Sequence, residues 1–181
     1  MKNQTEREYN QVVKACKELF EKKTRDYGTA WRILRLPSLT DQIYIKAQRI
    51  RSIQEKGKQQ VDDPLTDEFL GIINYCIIAQ LQIGLQDNTQ LDMNFQQLEP
   101  LYDRVVTETM DLLQNKNHDY GEAWREMRVS SMTDIILMKL LRVKQIEDNE
   151  GKTLVSEGVK ANYQDMMNYA VFCLIKLNFI Q

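Results

Sequence analysis

Residues 22–55 and 115–148 align without a gap at an offset of 93, and fifteen of the thirty-four positions are identical. KKTRDYGTAWRILRLPSLTDQIYIKAQRIRSIQE lies over NKNHDYGEAWREMRVSSMTDIILMKLLRVKQIED, pairing Lys23 with Lys116, Asp26 with Asp119, Trp31 with Trp124, Lys46 with Lys139 and Arg49 with Arg142. Upstream the same offset pairs Tyr9 with Tyr102 and Val12-Val13 with Val105-Val106; downstream an offset of 94 pairs Asn74-Tyr75 with Asn168-Tyr169. A chain written twice folds as two copies of one supersecondary unit, and each copy buries its apolar face against the other. The expected units are 1–85 and 94–181, joined by the polar linker 86–93 and packed as one globular body.

Seven Gly and three Pro in 181 residues are too few turn-formers for a many-stranded sheet protein. Each half instead reads as three helices. Helix A (5–24 and 96–117) carries Tyr9, Val12, Val13, Cys16 and Phe20 at helical spacing. Glu18, Glu21, Glu108 and Asp111 lie opposite that stripe and should face water. Helix B (39–56 and 132–149) opens on Ser-x-x-Asp, a capping-box start for Ser38 and Ser131. Helix C (64–84 and 158–179) is apolar nearly all round and should form the centre, with Asp63 as N-cap and Pro64 in the first turn. The expected architecture is an all-α bundle of two fused three-helix repeats related by a pseudo-two-fold axis, as a monomer with an internal pseudo-dimer or as a homodimer.

Net charge is -2, which weighs against an electrostatic grip on duplex nucleic acid. Residues 163–180 are interrupted by Gln164, Asp165, Asn168 and Lys176, so no membrane span is expected. The N-terminus has no apolar h-region, and Cys16, Cys76 and Cys173 sit apart in apolar helices, which reads as buried thiols in a reducing cytoplasm. With a lone His118 and no Cys-x-x-Cys, a metal would have to sit on carboxylates.

The chemistry-bearing segment is DYGxAWR, between helices A and B of both halves. Gly28 and Gly121 suit a helix C-cap, and Trp31 and Trp124 each supply a flat face. Asp26 and Asp119 fall at the negative end of a helix dipole and so call for a cation, either the Arg a few residues on or a metal. In the second half Glu157, Asp165 and Asn168 lie at about 0°, 80° and 20° on one helical wheel. Asp165 is then a charge in apolar surroundings and needs a partner: Lys139 or Arg142 in an ion pair, or Mg²⁺ on hard oxygens. The first-half stripe is Asp63, Asp67, Gly71 and Asn74, with Gly71 where the second half has Asp165. That divergence predicts one competent pocket, centred on the second half. Residues 32–58 carry a charge of +5 against +1 for 125–152, which makes Lys46 and Arg49 a candidate phosphate-facing surface.

KNHDYGEAWR, SMTDIILMKLLRV and EGVKANYQDMMNYA, with its E-x7-D-x2-N-Y pattern, resemble the nucleotide modification associated domain. That is a family of small all-helical proteins of phages and bacteria, some encoded beside nucleotide and base-modification enzymes. The architecture is similar to the all-α nucleoside triphosphate pyrophosphatases of the MazG and dimeric dUTPase group, although the E-E-x-x-E run of MazG proteins is absent from the sequence. The resemblance implies a Mg²⁺-dependent nucleotide site. Glu157 and Asp165 would be metal ligands, Asp119 an adjacent catalytic acid, and Lys139, Arg142, Lys46, Arg49, Tyr120, Trp124 and Asn168 substrate contacts. The reaction expected of such a site is phosphohydrolysis of a nucleotide, and the alternative is a non-catalytic helical interaction protein with structural ion pairs.

Overall fold

A computed structural model describes residues 3–57 and 64–180. The described residues form α1 (Gln4–Tyr27), α2 (Leu36–Lys56), α3 (Leu65–Gly84), α4 (Phe95–Tyr120), α5 (Val129–Asp148) and α6 (Val159–Lys176), with one-turn 3₁₀ segments at Ala30–Ile33 and Ala123–Glu126 and no strand among them. The fold is all-α, three helices to each repeat, as the sequence predicts.

Helix A follows its stripe. Tyr9, Val12, Val13, Cys16 and Phe20 are the buried face of α1, and the helix starts where the Asn3 side chain accepts from Glu6 N at 2.8 Å. Its counterpart α4 starts on a full capping box between Asn94 and Gln97. Both helices end one residue before a glycine at φ +66° (Gly28) or +63° (Gly121), a conformation that costs other residues energy. The expected start of helix B is corrected. α2 and α5 begin at Leu36 and Val129, with Arg35 and Arg128 as N-caps that make no side-chain cap bond. Ser38 and Ser131 therefore lie within the first turn; in α2, Pro37 fixes a helical φ before Ser38 is reached. Helix C is shorter than expected in the second half, ending at Lys176, and α3 has Pro64 itself as N-cap, while Asp63 lies outside the described residues.

α3 and α6 pack on each other at the centre, flanked by α2 and α5, which also touch one another. α1 crosses onto α6 and α4 onto α3, so each half's first helix covers the other half's third. Polar contacts between the halves are exchanged in the same way. Tyr9 Oη donates to Asn168 Oδ1 at 2.7 Å, and Tyr102 Oη to Asn74 Oδ1 at 2.9 Å. Between α2 and α5, Lys144 meets Asp41 at 3.2 Å and Arg51 meets Asp134 at 3.7 Å, while Thr40 bonds Glu147 and Thr133 bonds Gln54. Each pair is the other with the halves interchanged.

Linker 86–93 is held to the first repeat. Thr29 donates to Leu91 O at 2.6 Å and accepts from Met93 N at 2.9 Å, and Arg32 donates to Asn88 O and Gln90 O at 2.7 and 3.1 Å. No helix among the described residues is long and apolar enough to cross a membrane.

Candidate ligand-binding site

After Gly28 turns the chain out of α1, the 3₁₀ segment carries Trp31 back against Phe20, ring centroids 6.5 Å apart. Trp31, Tyr27 and Tyr75 are aromatic walls of a cavity of about 420 Å³, with Lys23 from α1 and Lys46 from α2 as its cations and Gly71 on its α3 wall. Lys46 lies across Gly71: a Cβ there would meet Lys46 Cε at 2.8 Å. The same ammonium reaches Glu68 at 3.7 Å, whereas Arg49 holds Glu68 tightly at 2.6 Å.

The second repeat keeps the frame and fills the space. Phe172, at the position of Ile78, stacks on Trp124 at 4.2 Å with planes 7° apart, and Trp124 is only 5% exposed. Asp165, at the position of Gly71, accepts from Lys116 at 2.7 Å and from Lys139 at 2.9 Å. Burial by itself would raise the Asp165 carboxyl, but the two ammonium groups outweigh it and hold the carboxyl below the ordinary Asp range. The buried Trp124 indole N–H has no hydrogen-bond partner among the described residues.

The predicted site residues fall in several places. Lys139, Arg142 and Glu157 do come together, lining a second cavity of about 750 Å³ beneath residues 149–157 with Lys152, Asn149 and Asn162. Glu157 is exposed and precedes the first residue of α6 by two, so the helical wheel that aligned it with Asp165 does not apply. Asn168 is buried and accepts from Tyr9. Asp119 and Tyr120 are exposed at the end of α4, where Asp119 meets His118 at 3.2 Å. Of the two cations expected for Asp119, the following Arg is not its partner, because Arg125 is taken by Glu8, Thr5 and Glu122. Arg32, likewise, binds the linker in place of Asp26. Lys46 lines the aromatic cavity, and Arg49 is held by Glu68.

These residues do not fit a resident Mg²⁺. Among the described residues no three His, Cys, Asp or Glu side chains are grouped to hold a metal, and both Asp165 oxygens already face ammonium groups. Lys23 and Lys116, Tyr75, Glu68 and the exchange of Ile78 for Phe172 join these groups in the structure without being among the residues expected from the sequence. The signal for the two lysines was present, since they are identical in both copies; that of Glu68 was not, since its counterpart is Asn162.

The sequence pattern of the family described as Nucleotide modification associated domain 1 matches residues 23–83 and again 116–177. The chain belongs to this family. Each matched segment opens on the lysine, Lys23 or Lys116, and runs through DYGxAWR, helix B and nearly all of helix C, so one nucleotide modification associated domain contains the aromatic, both lysines and the Gly71 or Asp165 position. The protein is two such domains in tandem, one with an open cavity between these groups and one with the same groups satisfied internally. No curated protein and no solved structure matches the chain.

Proposed function

We propose that this protein binds a nucleotide in the cavity of its first repeat. The observation that supports this reading is the placement of two lysines and four aromatic rings, Phe20, Tyr27, Trp31 and Tyr75, around one space of about 420 Å³. A nucleotide needs a flat apolar surface for its base and fixed positive charge for its phosphates. Stacking on an aromatic face contributes about 1–3 kcal/mol per base, and ammonium–phosphate hydrogen bonds are among the strong ones. The second repeat, with its internal ion pairs, serves as scaffold, which is where the interaction-protein reading finds its support.

The reading stops at binding. Hydrolysis of a phosphoanhydride by the metal-assisted route needs hard oxygen ligands around a metal, and the cavity walls supply ammonium groups and rings. Nucleotide binding here is therefore expected to be independent of Mg²⁺. Titration of the four common nucleoside di- and triphosphates into the protein, with Mg²⁺ and with EDTA, tests this. Saturable binding at one site per chain in both conditions, lost in Trp31→Ala, is expected. Absence of binding across the panel refutes the proposal, and binding that strictly requires Mg²⁺ would restore the metal-centred alternative.

A further inference from the structure

Equivalent positions in the two repeats show what the open cavity is shaped to receive. In the second repeat the Asp165 carboxylate bridges Lys116 and Lys139, and the Phe172 ring lies flat on Trp124. The first repeat keeps Lys23, Lys46 and Trp31 but has Gly71 for the anion and Ile78 for the ring. Glu68 accounts for only part of the difference. It approaches Lys46 no closer than 3.7 Å, and the Lys23 side chain makes no hydrogen bond or ion pair among the described residues. Trp31 meets the Phe20 ring tilted at 44° and 6.5 Å, in place of the flat 4.2 Å stack of Phe172 on Trp124, and it stays half-buried with its cavity open beside it.

We infer that Asp165 and Phe172 occupy, within the second repeat, the two places that a ligand fills in the first: an anionic group over Gly71 between Lys23 and Lys46, and a flat ring on Trp31 beside Ile78. This rests on the nucleotide reading and specifies how the nucleotide lies, with its base on Trp31 and its terminal phosphate over Gly71. Positions 71 and 78 are two helical turns apart, about 10 Å along α3. A phosphate chain extended from the sugar spans that interval, so the ligand class is a nucleoside di- or triphosphate. Gly71 is the residue that admits it, because a side chain there would compete with both Lys46 and the incoming anion. Lys46 must swing off Gly71 on binding, giving up its 3.7 Å approach to Glu68.

The test is calorimetric titration of the full chain with nucleoside diphosphates and, separately, with inorganic pyrophosphate. The variants are Gly71→Asp, Ile78→Phe and Lys23→Gln. Gly71→Asp places the internal anion of the second repeat in the first, and it should weaken both ligands at least about tenfold, or 1.4 kcal/mol. Ile78→Phe should weaken the diphosphates and spare pyrophosphate. Lys23→Gln alters an exposed side chain with little bearing on folding, and it decides the matter if Gly71→Asp does not fold; it should weaken both ligands. Diphosphates bound with wild-type affinity by Lys23→Gln, and by any folded Gly71→Asp, overturn the inference and leave the nucleotide reading standing. Pyrophosphate bound by the wild type and lost in these variants, with no nucleotide bound, keeps the anion subsite and overturns the nucleotide reading. Failure of both ligands to bind the wild type overturns both.

Discussion

The hydroxyl of Tyr9, in the first helix, donates to the side-chain oxygen of Asn168, in the last, at 2.7 Å across 159 residues of chain. Both residues are buried, and the phenol is pushed far above its ordinary pKa, by burial first and by the neighbouring Cys16 second. Tyr9→Phe leaves Asn168 Oδ1 without this donor in a dry site and should destabilise the whole chain by about 1–3 kcal/mol. Chemical denaturation followed by far-UV circular dichroism should give a single transition at lower midpoint. A variant that unfolds in two steps, one half before the other, would show that the halves are separable.

Asp165→Asn strands Lys116 and Lys139. The pair is partly buried, so the loss should lie between the exposed and buried limits, about 2 kcal/mol. The folded carboxyl titrates below its unfolded value, so its stabilisation is complete above an unfolded pKa of about 3.9 and is lost as pH falls through the folded value. Thermal melts of wild type and variant should differ at pH 6 and converge only as pH falls below the ordinary Asp range. Equal melting temperatures at pH 6 would contradict the ion-pair geometry.

Glu147 runs the other way. Burial raises its carboxyl above the ordinary Glu value, and the hydrogen bonds from Thr40 and Tyr163 only partly offset this. Stability from this group is present below the unfolded pKa and is lost as pH rises through the raised folded value. The equivalent residue in the first repeat is Gln54, which bonds Thr133 without a charge. Glu147→Gln should therefore raise the melting temperature at pH 7 by a degree or more and leave it nearly unchanged at pH 4. A lower melting temperature at pH 7 would show that the ionised form is the favoured partner of Thr40.

The three thiols should be silent in the folded protein. Cys16, Cys76 and Cys173 are buried, and desolvation pushes all three upward, Cys173 to about 12. Reaction with a disulfide reagent at pH 8 should be slow and should follow global unfolding. Rapid labelling of one equivalent in native buffer would place that cysteine at an opening segment.

Gly71 shows where the local reading of the chain ended. Its alignment with Asp165 was visible, and so was the divergence, but the presence of a carboxylate suggested that the competent pocket lay in the second half. In the structure Lys116 and Lys139 arrive from two other helices and pair with that carboxylate. Helical periodicity relates residues on one helix; it cannot say which cations another helix delivers, nor that Phe172 stacks on Trp124. The same limit applied to Glu157, aligned with Asp165 on a wheel that the chain leaves before reaching it.

What the sequence by itself determined is whatever depends on short-range spacing and on repetition: six helices, their apolar stripes, the glycine stops at 28 and 121, and the doubling of one unit. These follow from backbone geometry and side-chain burial, which act within a turn or two of helix. The tertiary structure decided which of two nearly identical frames stays open. Two substitutions at matching places, Gly71 against Asp165 and Ile78 against Phe172, act only through residues brought from distant helices: in the second repeat a carboxylate sits between two ammonium groups and a ring lies on the indole, whereas in the first Lys23, Lys46 and Trp31 line a cavity.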